Sequence, residues 1–209
     1  MQDNIKAFIE RGLDSEPKKL RSSLFLVNFF PLLGIAYGLI LKGFYLVFSL
    51  MIGLSIVTAF VLIVFLTRKN KAINTIVANI CLYISTTINY LLFAMITYSM
   101  DDEVHLSMLF LLIPEIVVAV FTFSIIPRII KKQNGKSPKQ RNISIGTVSG
   151  ITAVSTYVLL KRLNVDIAQN TALLICTWLL VILSCLFVVM ACYNVIKYYY
   201  SKKHHIDGI

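Results

Sequence analysis

Long apolar runs alternate with short polar gaps along this chain. Six runs, at about 22–41, 44–66, 73–98, 106–127, 144–160 and 171–196, are long enough to cross a hydrocarbon layer of about 30 Å at 1.5 Å per residue. Backbone N–H and C=O groups find no partners in lipid, so each run is expected to be helical. The residue-by-residue alternation of a membrane barrel is absent. The pattern therefore predicts an all-α, polytopic membrane bundle of about six transmembrane helices. Residues 1–21 form a cytoplasmic amphipathic segment in this reading, 22–198 the transmembrane domain, and 199–209 a cytoplasmic basic tail.

The polar gaps supply direction. Of the 20 Lys and Arg residues, 17 lie in the N-terminal segment, the 67–72 and 128–143 connections and the C-terminal tail. Only Lys42, Lys161 and Arg162 lie in the other three connections. Basic residues stay on the cytoplasmic side, so this alternation places both termini there, in a cell membrane. The acidic cluster Asp101-Asp102-Glu103, followed by His105, falls in an outward loop. Lys42 and Gly43 leave room only for a tight antiparallel hairpin. Tyr198, Tyr199 and Tyr200 stand where the last helix leaves the membrane, with Lys202 and Lys203 beyond. Residues 2–12 place Ile5, Phe8 and Ile9 on one side of a short interfacial helix. No cleavable signal pattern precedes the first span, so insertion is expected to begin with that helix.

Composition changes the picture little. The chain of 209 residues is 57% hydrophobic and 14% charged, against about 45–50% and about 25% in soluble domains. The net charge of +10 does not mark a nucleic-acid binder, because the cations sit in membrane gaps rather than on an aromatic-studded soluble face. They suit anionic lipid headgroups at the cytoplasmic face. The four cysteines, Cys81, Cys176, Cys185 and Cys192, lie inside apolar runs without zinc-ligand spacing and read as small hydrophobes. No metal or cofactor is expected. The richness in Ile, Lys and Asn suits an AT-rich bacterial genome.

Candidate chemistry begins with Glu115, about midway along the fourth run. An acid there costs about 2.5–3.5 kcal/mol to insert and should face protein or a water-filled cavity. It is either a proton or cation site, or a neutral carboxyl bonded to a neighbouring helix. Pro114 beside it, and Pro31 close to Asn28, each remove a helical hydrogen bond. Both lie at similar depth in helices that start on opposite faces, the pattern of an inverted repeat in transporters. In the third run Asn79, Thr86 and Asn89 share one helical face. With Glu115 and Asn28 they form the candidate intramembrane polar site.

Two pairs, Gly34 with Gly38 and Gly146 with Gly150, have the four-residue spacing that lets helices pack closely. The fifth run also carries several serines and threonines, which suits a central position. HExxH, GxSxG and Walker A motifs are absent, as are paired intramembrane aspartates, so no enzyme is expected. Two functions remain open. One is a small permease-like or transport-associated subunit, relying on a separate ATPase subunit if ATP-driven. The other is a non-catalytic immunity or regulatory protein that binds a toxin, a peptide or a membrane partner.

Overall fold

The computed structural model describes residues 17–41, 43–68, 72–98, 107–132 and 169–203. Among these residues the protein is all helical: α1 (Pro17–Val27), α2 (Phe29–Leu41), α3 (Phe44–Thr67), α4 (Ala72–Tyr98), α5 (Ile113–Lys132) and α6 (Gln169–Lys203). A short 3-10 segment, Ser107–Leu112, leads into α5. Four helical stretches are long and apolar enough to cross a membrane: Tyr45–Thr67, Ile73–Tyr98, Phe110–Arg128 and Leu173–Lys203. The fifth run expected at 144–160, with Gly146 and Gly150, lies outside the described residues. So do the acidic outer cluster, the amphipathic segment 2–12 and most of the basic 128–143 connection.

The first run differs from the single helix expected. α1 and α2 meet at Asn28 with a bend of 49°. Pro31 explains the place of the break. It has no N–H for the carbonyl of Val27, and its ring crowds that carbonyl. Backbone bonding resumes on either side, from Asn28 N to Leu24 O at 3.2 Å and from Leu32 N to Asn28 O at 3.0 Å. Pro114 likewise stands in the first turn of α5, just after the 3-10 segment. In a first turn the missing N–H would have had no intrahelical partner, so neither proline interrupts a helix interior. Pro127 does lie within α5.

α4 is the middle of the bundle. α3 lies along one side of it and α6 along the other, α2 packs mainly on α3, and α5 rests chiefly on α6. The consequence is visible in coverage: 56% of the α4 span is buried inside the protein, against 17% for α5. Ile52, Ile63, Leu82, Ile96 and Val181 fill the core between α3, α4 and α6, and Leu24 of α1 joins them. Leu26, Ile40, Leu54, Phe65, Val120 and Ile182 point outward. So large an exposed apolar surface is untenable in water and ordinary against lipid.

Lipid tails are as apolar as leucine, so close fit and polar bonds, rather than escape from water, hold such helices together. The contact between α2 and α3 shows the fit. A Cβ on Gly38 would fall on Ser49 Oγ and lie 2.6 Å from the backbone oxygen of Tyr45. A Cβ on Gly34 would lie 2.7 Å from the Phe93 ring. The buried Ser49 hydroxyl donates to the Gly34 carbonyl at 3.3 Å. The glycine pair thus packs within this one chain, against α3 and α4. Gly43, in the turn before α3, has φ of 58°, a left-handed conformation that suits glycine alone.

Polarity also sorts along the bundle axis. Arg21 Nη2 donates to Thr67 Oγ1 at 3.4 Å, so α1 starts where α3 stops. Ile76 near the start of α4 packs with Ile196 near the end of α6, and Ile126 near the end of α5 joins them. Arg21, Arg68, Arg128, Lys197, Lys202 and Lys203 therefore gather at one end. At the other end Thr97 of α4 meets Thr177 of α6, with hydroxyls 2.8 Å apart.

Gly38→Val is expected to destabilise the folded protein by about 1–3 kcal/mol, because α2 and α3 must separate to admit the side chain. Gly53→Ala serves as the comparison: its Cβ would meet only Ile35 Cδ1, at 3.8 Å. That variant should be neutral or more stable by about 0.5–1 kcal/mol. Unfolding of detergent-solubilised variants in a graded denaturing detergent measures both.

Candidate intramembrane polar site

The break between α1 and α2 turns Asn28 toward α4. Asn28 is fully buried, at 0% exposure. Its Nδ2 donates to Thr86 Oγ1 at 3.1 Å and to Leu24 O at 2.8 Å. Its Oδ1 accepts from Asn89 Nδ2 at 2.8 Å. Thr86 Oγ1 donates in turn to Leu82 O at 2.8 Å. The Leu24 carbonyl accepts only from a donor and so fixes the Asn28 amide orientation, and the Asn28 oxygen then fixes that of Asn89. Asn89 Oδ1 is left as a buried acceptor without a partner among the described residues. Three of the five residues expected to form the site do come together here.

Asn79 does not. It is half-buried, about 10 Å along α4 from Thr86 at 1.5 Å per residue, and its side chain does not join the network. Glu115 also stands apart, and its position differs from the midpoint expected. It lies in the first turn of α5, nearer one end of the Phe110–Arg128 span, because the run begins with 3-10 structure rather than α-helix. Its side chain is buried, with 7% exposure, and faces α6. The Ser184 hydroxyl donates to Glu115 Oε1. Ser184 Oγ also lies 3.4 Å from the Thr87 carbonyl oxygen of α4, so this second cluster ties three helices together. The Cys185 thiol lies beside the carboxyl. Glu115 Oε2 has no hydrogen-bond partner among the described residues.

The candidate site is therefore two clusters on α4 and its neighbours. One is an amide–hydroxyl network at a helix break. The other is a carboxyl–hydroxyl pair. Thr86 and Thr87 are adjacent in sequence, yet about 100° apart around the helix, so they serve different neighbours.

Ser184 is a residue that sequence reasoning missed. A signal was available: Thr177 and Ser184 are seven apart on α6, hence on one face, and both are fully buried. Ser55 and Ser85, with hydroxyls 2.9 Å apart, join α3 to α4. The four cysteines are free thiols in α4 and α6.

Asn28→Ala should cost about 1–2 kcal/mol in the same unfolding measurement, because it strands Asn89 Nδ2 and withdraws a donor from Thr86. Asn79→Ala should be silent. Compared with protein-family models, with curated proteins and with solved structures, this chain matches none, so its function must be argued from these side chains.

Proposed function

We propose that this protein is a small permease-like or transport-associated subunit of a cell membrane, with Glu115 handling a proton or a cation. The observation that carries the reading is the state of that carboxyl. It is enclosed in the bundle, one oxygen is held by Ser184, and the other has no partner among the described residues. Among the described residues no Lys or Arg side chain stands near it: the basic side chains gather at the far end of α6 and its neighbours. A lone intramembrane acid of this kind is costly to keep for packing alone. Its chemistry suits binding and release of positive charge.

In this reading the chain crosses the membrane six times with both termini cytoplasmic. The support is the end-to-end sorting of basic residues, together with the positions of two helix ends. α5 stops at the basic end and α6 starts at the opposite one, as a further crossing between them requires. Anionic headgroups are the natural counter-charge for the basic end. The protein acts without catalysis, and any ATP-driven version draws on a separate ATPase subunit.

A second reading draws on α5. Its outer face presents Ile113, Ile116, Val117, Val120 and Phe121, a surface that a membrane partner could cover. That would suit an immunity or regulatory protein that captures a toxin, a peptide or another membrane protein.

Two experiments test these proposals. In proteoliposomes loaded with a pH-sensitive dye, or with a cation indicator, the wild type should dissipate an imposed gradient. Glu115→Gln, inserted to the same level, should fall to the rate of empty liposomes. Equal flux in the two would remove the transport reading, and loss of function on changing Val117 or Phe121 instead would favour the partner reading. For topology, single cysteines replace Asp101 and Gly135 in a chain freed of its four native cysteines. The first should be labelled by impermeant maleimide from outside only, the second only after permeabilisation.

A further inference from the structure

The basic end of α6 carries an arrangement that its sequence position alone does not explain. Three lysines each fold back over the tyrosine one turn earlier. Lys197 Nζ lies 4.9 Å from the centre of the Tyr193 ring, Lys202 Nζ 5.4 Å from that of Tyr198, and Lys203 Nζ 5.8 Å from that of Tyr199. The spacing of four residues is what stacks neighbours on a helix face. Tyr199 is itself braced edge-to-face by Tyr200, with centroids 5.6 Å apart. An ammonium over a ring is attracted to the π-face and so fixed in place, yet it keeps its charge and its outer N–H donors. The rings position these cations without neutralising them.

Neither Lys202 nor Lys203 has an acidic partner among the described residues. Glu115 is the only acidic residue among the described residues, and it is bonded to Ser184. Ser184 stands about 20 Å along α6 from Lys197, at 1.5 Å per residue. Lys202, Lys203 and Arg128 are all exposed. Below Lys202 on the same face of α6, about 10 and 21 Å along the helix at 1.5 Å per residue, Val195 and Val188 are partly exposed apolar side chains against which acyl chains would run. Tyrosine at this boundary keeps its ring in the apolar layer and its hydroxyl in the headgroups.

From this arrangement we infer that the C-terminal turns of α6 form a binding site for the phosphate of an anionic phospholipid. Lys202 and Lys203 contact the phosphate, the tyrosine rings hold the ammonium groups at headgroup depth, and the acyl chains lie along the outer face of α6. The inference is independent of the transport reading and stands or falls separately from it. It also differs from diffuse attraction to a charged surface, because a built site depends on the rings as well as on the charges.

The test uses the full chain, purified in a mild non-ionic detergent and titrated with phosphatidylglycerol or phosphatidylcholine, with bound lipids counted by native mass spectrometry. Phosphatidylglycerol should bind more tightly, and less so as salt rises. The double variant Lys202→Gln/Lys203→Gln should bind it about thirty-fold more weakly. Tyr199→Leu, at an exposed position that leaves both lysines in place, should weaken binding about threefold, and Tyr199→Phe should restore it. Equal binding of the two lipids would overturn the inference. So would unchanged affinity in either the lysine or the leucine variant. Displacement of the lipid by free glycerol phosphate at matching concentration would also overturn it, by making the site one for soluble phosphate.

Discussion

Inside a hydrocarbon layer, a polar atom is satisfied by its own protein or it goes unsatisfied, and the architecture follows from that constraint. Helices take care of the backbone. Side chains are harder, and here most of them converge on α4. Asn28 and Asn89 bond to one another, and Asn28 also bonds to Thr86. Ser55 meets Ser85, Thr97 meets Thr177, and Ser184 reaches the Thr87 carbonyl. Each bond is worth only about 0.6 kcal/mol on average in a membrane bundle. Their shared helix makes them collectively decisive, because they fix which faces of α1, α3 and α6 can turn toward it.

Glycine does the complementary work. Gly34 and Gly38 leave no side chain on the α2 face that meets Ser49, Tyr45 and Phe93, so backbones approach closely enough for Ser49 to bond a main-chain carbonyl. Dispersion contacts at short range, individually slight, then add up over the length of the contact. α5 lacks both devices along most of its length. Among its described residues only Glu115 and Thr122 are buried, with Ile126 packed on a small cluster nearer its end, so little of it is covered. A carboxyl that anchors the least-packed helix is also the group best placed to respond when that helix shifts.

How much of this was legible beforehand differs residue by residue. Asn28, Thr86 and Asn89 could be grouped because Thr86 and Asn89 share a helical face and Pro31 marks a break beside Asn28. Glu115 could be flagged as costly, but nothing in a linear sequence tells which neighbour an acid faces. That depends on helix rotation, and about 100° separates Thr86, which serves α1, from Thr87, which serves α6. The end of α6 was placed near residue 196, where hydrophobicity stops, yet the helix runs to Lys203. Helical bonding does not need lipid, and the Tyr–Lys pairs support the extra turns. The first run was expected to be straight because hydropathy counts apolar residues and is blind to the carbonyl that Pro31 leaves without a donor.

The elbow at Asn28 has a consequence for how the chain is made. Its partners, Thr86 and Asn89, lie 58 and 61 residues further along and leave the ribosome only after two more helices' worth of synthesis. Until then an amide that ends up wholly enclosed has only the Leu24 carbonyl, one turn back in its own helix, to bond. The elbow is therefore completed late, when α4 arrives to supply the other two partners of that amide.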